Sequence, residues 1–379
     1  MASIVTSKFR IHNAQQFYES FSEAANTIMY LFVGKNTAFA NDNSPPTPIN
    51  STANIEYTPW RDMYGVKRIQ SADVTHAVPR YDWTSGTVYT AYDDTSTSLL
   101  TDTFYVMTED YNVYKCLFNN ASAASTTKPT GTSSTRFTTA DGYIWKFMYT
   151  VSTAKALKFL TSDYMPIQTL ASDDGTTQWS VQSAAVDGAI EVIKVTSGGS
   201  GYATAPSVTI IGDGTGATAN ATITANVVTA VTITAAGTGY TRASVSFASG
   251  AAAATAIISP KGGHGANATE ELGGKYIMLN VRLDGNESNT FSTANEFRQV
   301  GIVRDPYLFG TTTRASASSY RQTFKYQLSG ISGTFSLDEP VSSGSNTSNV
   351  VEWDTPNLYV IKPRTFSSAI TNRVLPELK

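Results

Sequence analysis

Residues 296–306 read EFRQVGIVRDP, and their apolar side chains alternate as an extended strand requires. One face of this strand carries Arg298, Val300, Ile302 and Arg304, and the other carries Phe297, Gly301 and Val303. Pro306 has no N–H to donate to a sheet, so the strand should end at the residue before it. We expect Val300 and Ile302 to face the core, so an Ile302→Asp substitution would bury an unpaired carboxylate.

A second strand comes shortly before this one in the chain. Residues 275–283, KYIMLNVRL, are apolar and rich in residues that favour strands. The polar, turn-rich run DGNESNTFSTAN at 284–295 separates the two segments. We therefore expect them to be partners in one sheet core that are joined by a long loop.

Composition limits the kind of protein to which such a sheet can belong. The chain has 379 residues, enough for two or three domains, and 41% of them are hydrophobic. Only 15% are charged, against roughly 25% in an average globular domain, so Thr, Ser, Asn and Gly supply more of the polarity. This β-rich composition is typical of virion components and adhesins. A net charge of −3 and a pI of about 5.7 give no electrostatic footprint for nucleic acid or anionic lipid, and we expect neither partner.

Catalytic residues are scarce in this sequence. Cys116 is the single cysteine, which excludes a disulfide framework, and we interpret it as a buried apolar residue. The histidines that could activate a thiol are scattered, at His12, His76 and His264. We interpret His76 as a hydrogen-bonded structural residue and not as a metal ligand. No signal peptide is evident, and the apolar run at 28–33 is far shorter than the roughly 20 residues of a membrane span, so secretion is not expected.

Strands dominate the predicted elements, with short helices near the N-terminus. We expect a strand at 3–9, a helix capped by Asn13 with Gln16, a strand at 27–33 and a loop at 41–54. Thr58-Pro59-Trp60 should open a second helix near 61–69. Residues 74–83, VTHAVPRYDW, contain a proline and should form an edge strand. Strands should follow at 104–107, 113–118 and 143–151.

Two features of the region up to residue 151 bear on its surface and core. The polar tract 119–135 is predicted to be a flexible surface loop, and Asp141-Gly142 a turn. Four aromatic residues of the last strand fall on one face by period two: Tyr143, Trp145, Phe147 and Tyr149. Such a stripe indicates a sheet core or a subunit interface rather than a sugar-binding platform.

An internal repeat begins where the composition changes abruptly, near residue 186. IKVTSGGSGYATAPSVTII, from Ile193, is echoed by VTITAAGTGYTRASVSF, from Val231, and Gly201-Tyr202 matches Gly239-Tyr240 at a spacing of 38 residues. The pattern predicts a small, pseudo-symmetric β-module. The GDGTG sequence at 212–216 would also suit calcium, but the ion takes six to eight oxygens and the second copy has SGA at 249–251 instead, so we favour a tight turn.

Other motifs resemble phosphate-binding or acid–base sites but lack the surrounding sequence that such sites require. Gly262, Gly263 and Gly265 look like a phosphate loop, but a strand is expected after them where that motif requires a helix. Asp93-Asp94 and Glu270-Glu271 are adjacent in sequence, so in extended structure each pair points to opposite faces and would not cooperate as an acid and a base. Solvated loop charge is the favoured role. We predict no catalytic, cofactor-binding or metal site.

These observations together predict a mainly β protein. A β-sandwich scaffold with a few short helices should comprise residues 1–185 and 261–330. Residues 186–260 should form an inserted Gly/Ala/Thr-rich two-repeat β-domain that folds nearly alone and projects from the rest, because composition changes at both of its ends. Residues 331–379 should form a short β appendage at the C-terminus.

Seven sequence blocks occur in an order that resembles a known family. They are IVTSKFR (4–10), NTIMYLFVG (26–34), HAVPRYDW (76–83), VYKCL (113–117), DGYIWKFMYTV (141–151), DYMPI (163–167) and EFRQVGIVRDP (296–306). Each block is weak by itself, but together they span residues 4 to about 165 and then 276 to about 306, roughly half of the chain. In this order they resemble the dimeric baseplate wedge subunit of T-even-like contractile-tailed bacteriophages, their eighth gene product.

The resemblance implies a function in assembly and not in catalysis. It implies a homodimeric, non-enzymatic subunit of the virion tail baseplate that is assembled in the host cytoplasm. This subunit joins other wedge proteins during assembly and host attachment, and tail-fibre attachment proteins are further candidate partners. The repeat module and the segment after residue 307 have no counterpart that we can place in the family. The alternative is a tail fibre or adhesin that binds a receptor, which shares the composition but should show long trimeric repeats or an exposed aromatic cluster.

Overall fold

The computed structural model describes residues 5–23, 27–47, 62–282, 296–308, 310–315, 324–336, 339–344, 346–354 and 357–361. The predicted mainly β fold is confirmed, and its strands form several small sheets. The chain divides into two compact units: unit 1 is Met1–Tyr18 with Thr75–Leu279, and unit 2 is Glu19–Val74 with Asn280–Lys379. The boundaries predicted at 185/186, 260/261 and 330/331 differ from this division, and that domain assignment stays a prediction.

The described residues contain four helices and twenty strands. The helices are α1 (Ser7–Glu19), α2 (Thr153–Phe159), α3 (Thr177–Ser183) and α4 (Ala268–Glu271). The strands are β1 (Met29–Gly34), β2 (Met63–Arg68), β3 (Val74–Pro79), β4 (Tyr105–Met107), β5 (Asn112–Asn119), β6 (Phe137–Thr138), β7 (Tyr143–Thr150), β8 (Tyr164–Ile167), β9 (Ile190–Ser197), β10 (Val208–Gly212), β11 (Thr215–Thr224), β12 (Val227–Thr238), β13 (Ala243–Phe247), β14 (Ala253–Ile258), β15 (Tyr276–Leu279), β16 (Gln299–Arg304), β17 (Phe324–Gln327), β18 (Pro340–Ser343), β19 (Asn346–Asp354) and β20 (Asn357–Ile361).

The first element of the described residues is a helix, so the strand predicted at 3–9 is wrong over residues 5–9; residues 3 and 4 lie outside the described chain. Thr6 Oγ1 accepts a hydrogen bond from the Phe9 N–H at 3.2 Å, which is the bond of an N-cap, so α1 begins six residues before the predicted cap at Asn13. Ile11 and Ala14, three residues apart, are its buried residues. That spacing belongs to a helix face, and it outweighs the β propensity of the preceding residues.

The central sheet of unit 1 has the order β4-β5-β7-β6 and buries both faces. Its aromatic stripe is core, as predicted, but the period of two breaks at a bulge between the pairs Tyr114↔Phe147 and Val113↔Tyr149. Tyr143, Trp145 and Phe147 therefore pack in one hydrophobic cluster, whereas Tyr149 packs in the cluster on the other side of the sheet. A bulge inserts one extra residue and so reverses the faces beyond it.

The tract 119–135, predicted to be flexible, is fastened to this sheet by hydrogen bonds. The Asp141 carboxylate accepts from the N–H groups of Thr126 (2.8 Å) and Thr127 (2.9 Å) and from the Ser125 hydroxyl (3.1 Å). The Tyr143 hydroxyl donates to the Ala123 carbonyl at 2.6 Å. These bonds satisfy polar groups that would otherwise be left unpaired beside the core.

A second sheet of unit 1 has the order β15-β3-β8. β3 lies in its middle, so the edge position predicted for residues 74–83 is wrong. Pro79 is tolerated because it is the last residue of β3, where it pairs with Tyr164 at the end of the ladder.

The repeat module consists of three antiparallel pairs nested within one another along the chain: β9 with β14, β10 with β13, and β11 with β12. The two repeated tyrosines have equivalent roles. The Tyr202 hydroxyl accepts from the Ala252 N–H at 2.9 Å, and the Tyr240 hydroxyl accepts from the Ala217 N–H at 3.3 Å. Both rings belong to the module's own hydrophobic cluster, which explains why the tyrosine recurs.

Unit 2 contains the 296–306 stretch, which supplies the edge strand β16 of the three-stranded sheet β16-β1-β2. The strand prediction is confirmed, but its partner is β1, with Ile302 opposite Leu31, and not the 275–283 segment. β2 is a strand, so the helix predicted near 61–69 is wrong; its proposed start at 58–60 and the 284–295 connection lie outside the described residues. The continuous apolar run of β1 supplies both neighbours with a ladder, and this tertiary pairing overrides local propensity.

The buried face of β16 is the opposite of the predicted one. Val300 and Ile302 are 64% and 39% exposed. Val303 packs against the cluster of Tyr30, Phe32, Met63 and Val66 instead. Period two defines two faces of a strand, and the neighbouring sheet decides which of them is covered.

The C-terminal strands form a separate sheet in unit 2 with the order β17-β20-β19-β18. All of its adjacent strands are antiparallel. The first strand, β17, begins before the predicted appendage at 331–379, whose residues 362–379 lie outside the described chain.

Candidate functional site

Cys116 is a fully buried residue of β5. It packs in the aromatic cluster that includes Tyr114 and Trp145. Burial raises the pKa of its thiol, which suppresses the thiolate that nucleophilic chemistry requires. The interpretation of Cys116 as a buried apolar residue is confirmed.

The three histidines lie in three different environments. His12 is exposed on α1. His76 is buried, with Nδ1 3.2 Å from the Gly274 carbonyl oxygen and its ring centroid 4.8 Å from that of Tyr18. The structural interpretation of His76 is therefore confirmed. His264 is also buried, but it lies among charged side chains.

The GDGTG sequence forms a turn whose carboxylate is used within the chain. Asp213 accepts hydrogen bonds from the Thr241 hydroxyl and from the N–H groups of Thr241 (2.9 Å) and Arg242 (3.1 Å). These bonds, led by the one from the hydroxyl, lower the pKa of Asp213. The turn of one repeat is thus fastened to the Gly-Tyr turn of the other. Throughout the described residues, no three His, Cys, Asp or Glu side chains come together in a way that could hold a metal ion.

The two acidic pairs that were predicted to be solvated loop charge differ from each other in their surroundings. Asp94 Oδ1 accepts from the Ile258 N–H at 3.2 Å. Glu270 is exposed, as predicted, but Glu271 is buried, so the prediction is wrong for Glu271. The cause is α4: adjacent residues of a helix point about 100° apart, so one side chain faces solvent while the next enters the core.

Glu271 belongs to a buried charged cluster on the β5–β7 sheet. Lys115 Nζ lies 2.8 Å from Glu271 Oε2 and 3.0 Å from His264 Nδ1, and it also lies 4.1 Å from the centre of the Tyr92 ring. The Lys115 and Glu271 side chains are 0% and 3% exposed. Lys146 lies directly opposite Lys115 in the β5–β7 ladder and is also buried. We call Lys115, Lys146, His264 and Glu271 the buried charged cluster.

The glycine series at 262–265 lies near the cluster, but it offers few free N–H donors to a phosphate. A strand was expected after it, whereas the one-turn helix α4 follows and β15 begins only afterwards. The N–H of Gly262 donates to Asp187 Oδ1 at 2.6 Å, and that of Gly265 donates to Glu271 Oε1 at 2.8 Å. Since carboxylates of the chain itself occupy these donors, the loop serves internal packing.

The chemistry open to the cluster is limited by its burial. A substrate from solvent would have to displace packed side chains to reach Lys115 or Glu271. The sequence does contain a signal for this cluster: a lysine stands inside each of two apolar strands, VYKCL and YIWKFM. Lysine is almost never fully buried unless it is paired, so these positions indicated acidic partners elsewhere in the chain.

Residues 3–120 match the model of the family Phage-Gp8, described as Bacteriophage T4, Gp8. The match covers less than a third of the chain and contains the first four of the seven blocks; the blocks from residue 141 onward lie outside it. No curated protein matches the chain. None of the described helices is long and apolar enough to cross a membrane. The match supports a structural protein of the virion tail baseplate. Over residues 3–120 the chain is similar to Gp8 of bacteriophage T4, and its resemblance to the baseplate wedge proteins of T4-like phages is thereby confirmed.

Proposed function

We propose that this chain is a homodimeric structural subunit of a contractile-tail baseplate wedge, which joins neighbouring wedge proteins during baseplate assembly and host attachment. The family match over residues 3–120 carries this proposal. Its partners would be a second copy of itself, other wedge proteins and tail-fibre attachment proteins, and its assembly would take place in the host cytoplasm.

Such an assembly is held together by the burial of apolar area at its interfaces and does not depend on a catalysed reaction. Permanent interfaces bury more than the ~1,600 Å² of a standard complex and are more apolar than transient ones. The titratable groups of the buried charged cluster are closed to solvent, which is consistent with a non-enzymatic subunit.

The dimer is tested by multi-angle light scattering on the purified chain at micromolar concentration. We expect the mass of two chains, and a clean monomer would contradict the proposal. The double variant Val300→Ser/Ile302→Ser then tests whether these exposed side chains belong to the contact between the two copies of the dimer. Leu157→Ser is the matched control, because Leu157 is 85% exposed on α2 of the other unit.

The wedge function is tested in phage that lack this protein. Negative-stain microscopy should show tails without complete baseplates, and a plasmid copy should restore them. Complete plates that fail only in adsorption would favour the alternative, a receptor-binding fibre or adhesin. The chain has two short repeats inside a sequence of mixed core motifs, which weighs against that alternative.

A further inference from the structure

The Glu271 carboxylate holds two separate parts of unit 1 together. Its Oε1 accepts hydrogen bonds from the N–H groups of Gly265 (2.8 Å) and Asn267 (3.2 Å), which fixes the segment that leaves the repeat module. Its Oε2 accepts from Lys115 Nζ in the middle of β5 at 2.8 Å. One buried side chain therefore fastens residues 262–272 to the central sheet.

His264 lies at the point where charges of both signs meet. Its Nδ1 is 3.0 Å from Lys115 Nζ and 4.0 Å from Glu271 Oε2, and its ring packs edge-on against Tyr92 with centroids 4.7 Å apart. The charged groups whose fields act on this cluster are Lys115 on β5, Lys146 on β7, Glu271 on α4 and Glu191 on β9. Lys115 and the imidazole thus share a space closed to water, and the ammonium of Lys146, which donates to the Ser134 carbonyl at 2.6 Å, acts on His264 through its charge.

The protonation state of His264 decides whether this arrangement holds. A neutral imidazole can accept the Lys115 hydrogen bond at Nδ1 while Lys115 also bonds Glu271. A protonated imidazole has no lone pair at Nδ1 and places a second positive charge 3.0 Å from Nζ in a medium of low dielectric. We propose that Lys115, Glu271 and His264 form an acid-sensitive latch, which fastens residues 262–272 to β5 and opens when His264 takes a proton.

The pH range of the latch follows from the environment of His264. Burial first, and then the charges of Lys115 and Lys146, hold the pKa of His264 well below its usual value of 6.5. A histidine with a lowered folded pKa contributes stability that is fully present above pH 6.5 and is lost as pH falls from there toward the folded pKa. Within that window, each decrease of one pH unit raises the equilibrium constant for opening of the latch by about tenfold.

Hydrogen exchange of the full-length protein, followed by mass spectrometry, measures this opening directly. After correction for the intrinsic exchange rate, the opening constant of amides in 262–272 should rise as pH falls below 6.5, by up to about tenfold per pH unit for as long as the pH stays above the folded pKa of His264. Peptides of β1 and β16 in unit 2 serve as an internal reference that should not follow this slope. An opening constant that stays flat from pH 7 to pH 5 in the wild-type protein overturns the proposal without any variant.

Two substitutions test the roles of the individual groups. His264→Asn keeps an acceptor near Nδ1 but takes up no proton, so the slope should vanish, whereas it should persist in the His12→Asn control. Lys115→Met removes the neighbouring cation and leaves Glu271 to pair with a protonated His264. That variant should be loose at pH 7 and tighten as pH falls. Acid loosening that persists unchanged in either cluster variant contradicts the latch.

Discussion

At the scale of single residues, burial is decided by neighbours that are distant in sequence. Lys115 occupies a position that alternation assigns to the core, and it is tolerated because Glu271, 156 residues away, neutralises it. Val303 and Ile302 are adjacent, yet only Val303 packs on Phe32 and Tyr30. Each of these residues therefore has a different sensitivity to substitution.

The face of β16 that is buried can be tested with a pair of aspartate variants. Val303→Asp should lower the free energy of unfolding of unit 2 by about 3 kcal/mol, because the carboxylate is desolvated without a partner. Ile302→Asp should cost below about 1 kcal/mol, since its side chain remains in solvent. Thermal unfolding of both proteins measures the difference. Equal losses would show that both faces of the strand are covered in solution.

Asp141 should give unit 1 a dependence on acid pH. Burial raises the pKa of Asp141, but hydrogen bonds from Thr139, Thr127, Thr126 and Tyr143 outweigh it and lower the pKa to about 2. The stabilisation is fully present above the unfolded pKa of 3.8 and is lost as pH falls toward about 2. Asp141→Asn should therefore cost about 1 kcal/mol at pH 7, after allowance for solvent screening, and less at pH 3.

Urea unfolding at the two pH values measures this difference. Asp173→Asn is the control, because Asp173 is an exposed loop aspartate. A loss at Asp141 that does not shrink at pH 3 would mean that the carboxylate charge is not the cause.

At the scale of elements, the two repeats share one packing arrangement, in which a tyrosine ring lies close against a glycine of a turn. A Cβ added at Gly250 would lie 2.4 Å from the Tyr202 ring, and one added at Gly214 would lie 2.5 Å from the Tyr240 ring. Gly250 and Gly214 are thus needed for the close approach of a tyrosine ring, and Gly250 is needed for its positive φ as well. This packing accounts for the recurrence of the tyrosine, whereas the glycine before each tyrosine, Gly201 or Gly239, is favoured by its positive φ angle.

Two alanine variants separate close approach from backbone strain. Gly250 and Gly201 have similar positive φ angles, 77° and 81°, but a Cβ at Gly201 would meet nothing within 4 Å. Gly201→Ala should cost roughly 1 kcal/mol for the left-handed backbone, and Gly250→Ala should cost clearly more because the ring must move. Hydrogen exchange of the β10 and β13 amides measures the module's stability. Equal effects would show that the ring has room to shift.

At the scale of the whole molecule, the β9–β14 pair belongs to two cores at once. Val192 and Ile257 pack in the cluster of the central sheet with residues such as Val78 and Met107. Ile190, Ile193, Ala256 and Ile258 pack in the module's own cluster. An insertion at 186–260 that folds nearly alone remains the prediction from sequence, and this shared pair is the observation that weighs against it.

Replacement of residues 186–260 by a short Gly-Ser linker distinguishes an insertion that folds nearly alone from a module that shares its core with the central sheet. The deletion removes Val192 and Ile257, and loss of each large buried aliphatic side chain costs about 2–5 kcal/mol. We therefore expect unit 1 to unfold or the protein to become insoluble, as followed by circular dichroism and light scattering. A soluble dimer with the parent's β-content would support the separable domain. Val192→Ala in the full chain should show the same loss in smaller measure.

The sequence alone determined the mainly β class, the strand at 299–304 with its end before Pro306, the aromatic core of β7, the repeat and the resemblance to the wedge family. Each of these follows from local periodicity, from residues with restricted backbones or from ordered motifs. The tertiary structure alone decided that β1 is the partner of β16, which face of β16 is buried, and that Lys115 meets Glu271 and His264. A period of two defines two faces without saying which one is covered, and contacts more than a hundred residues apart depend on packing that no local pattern encodes.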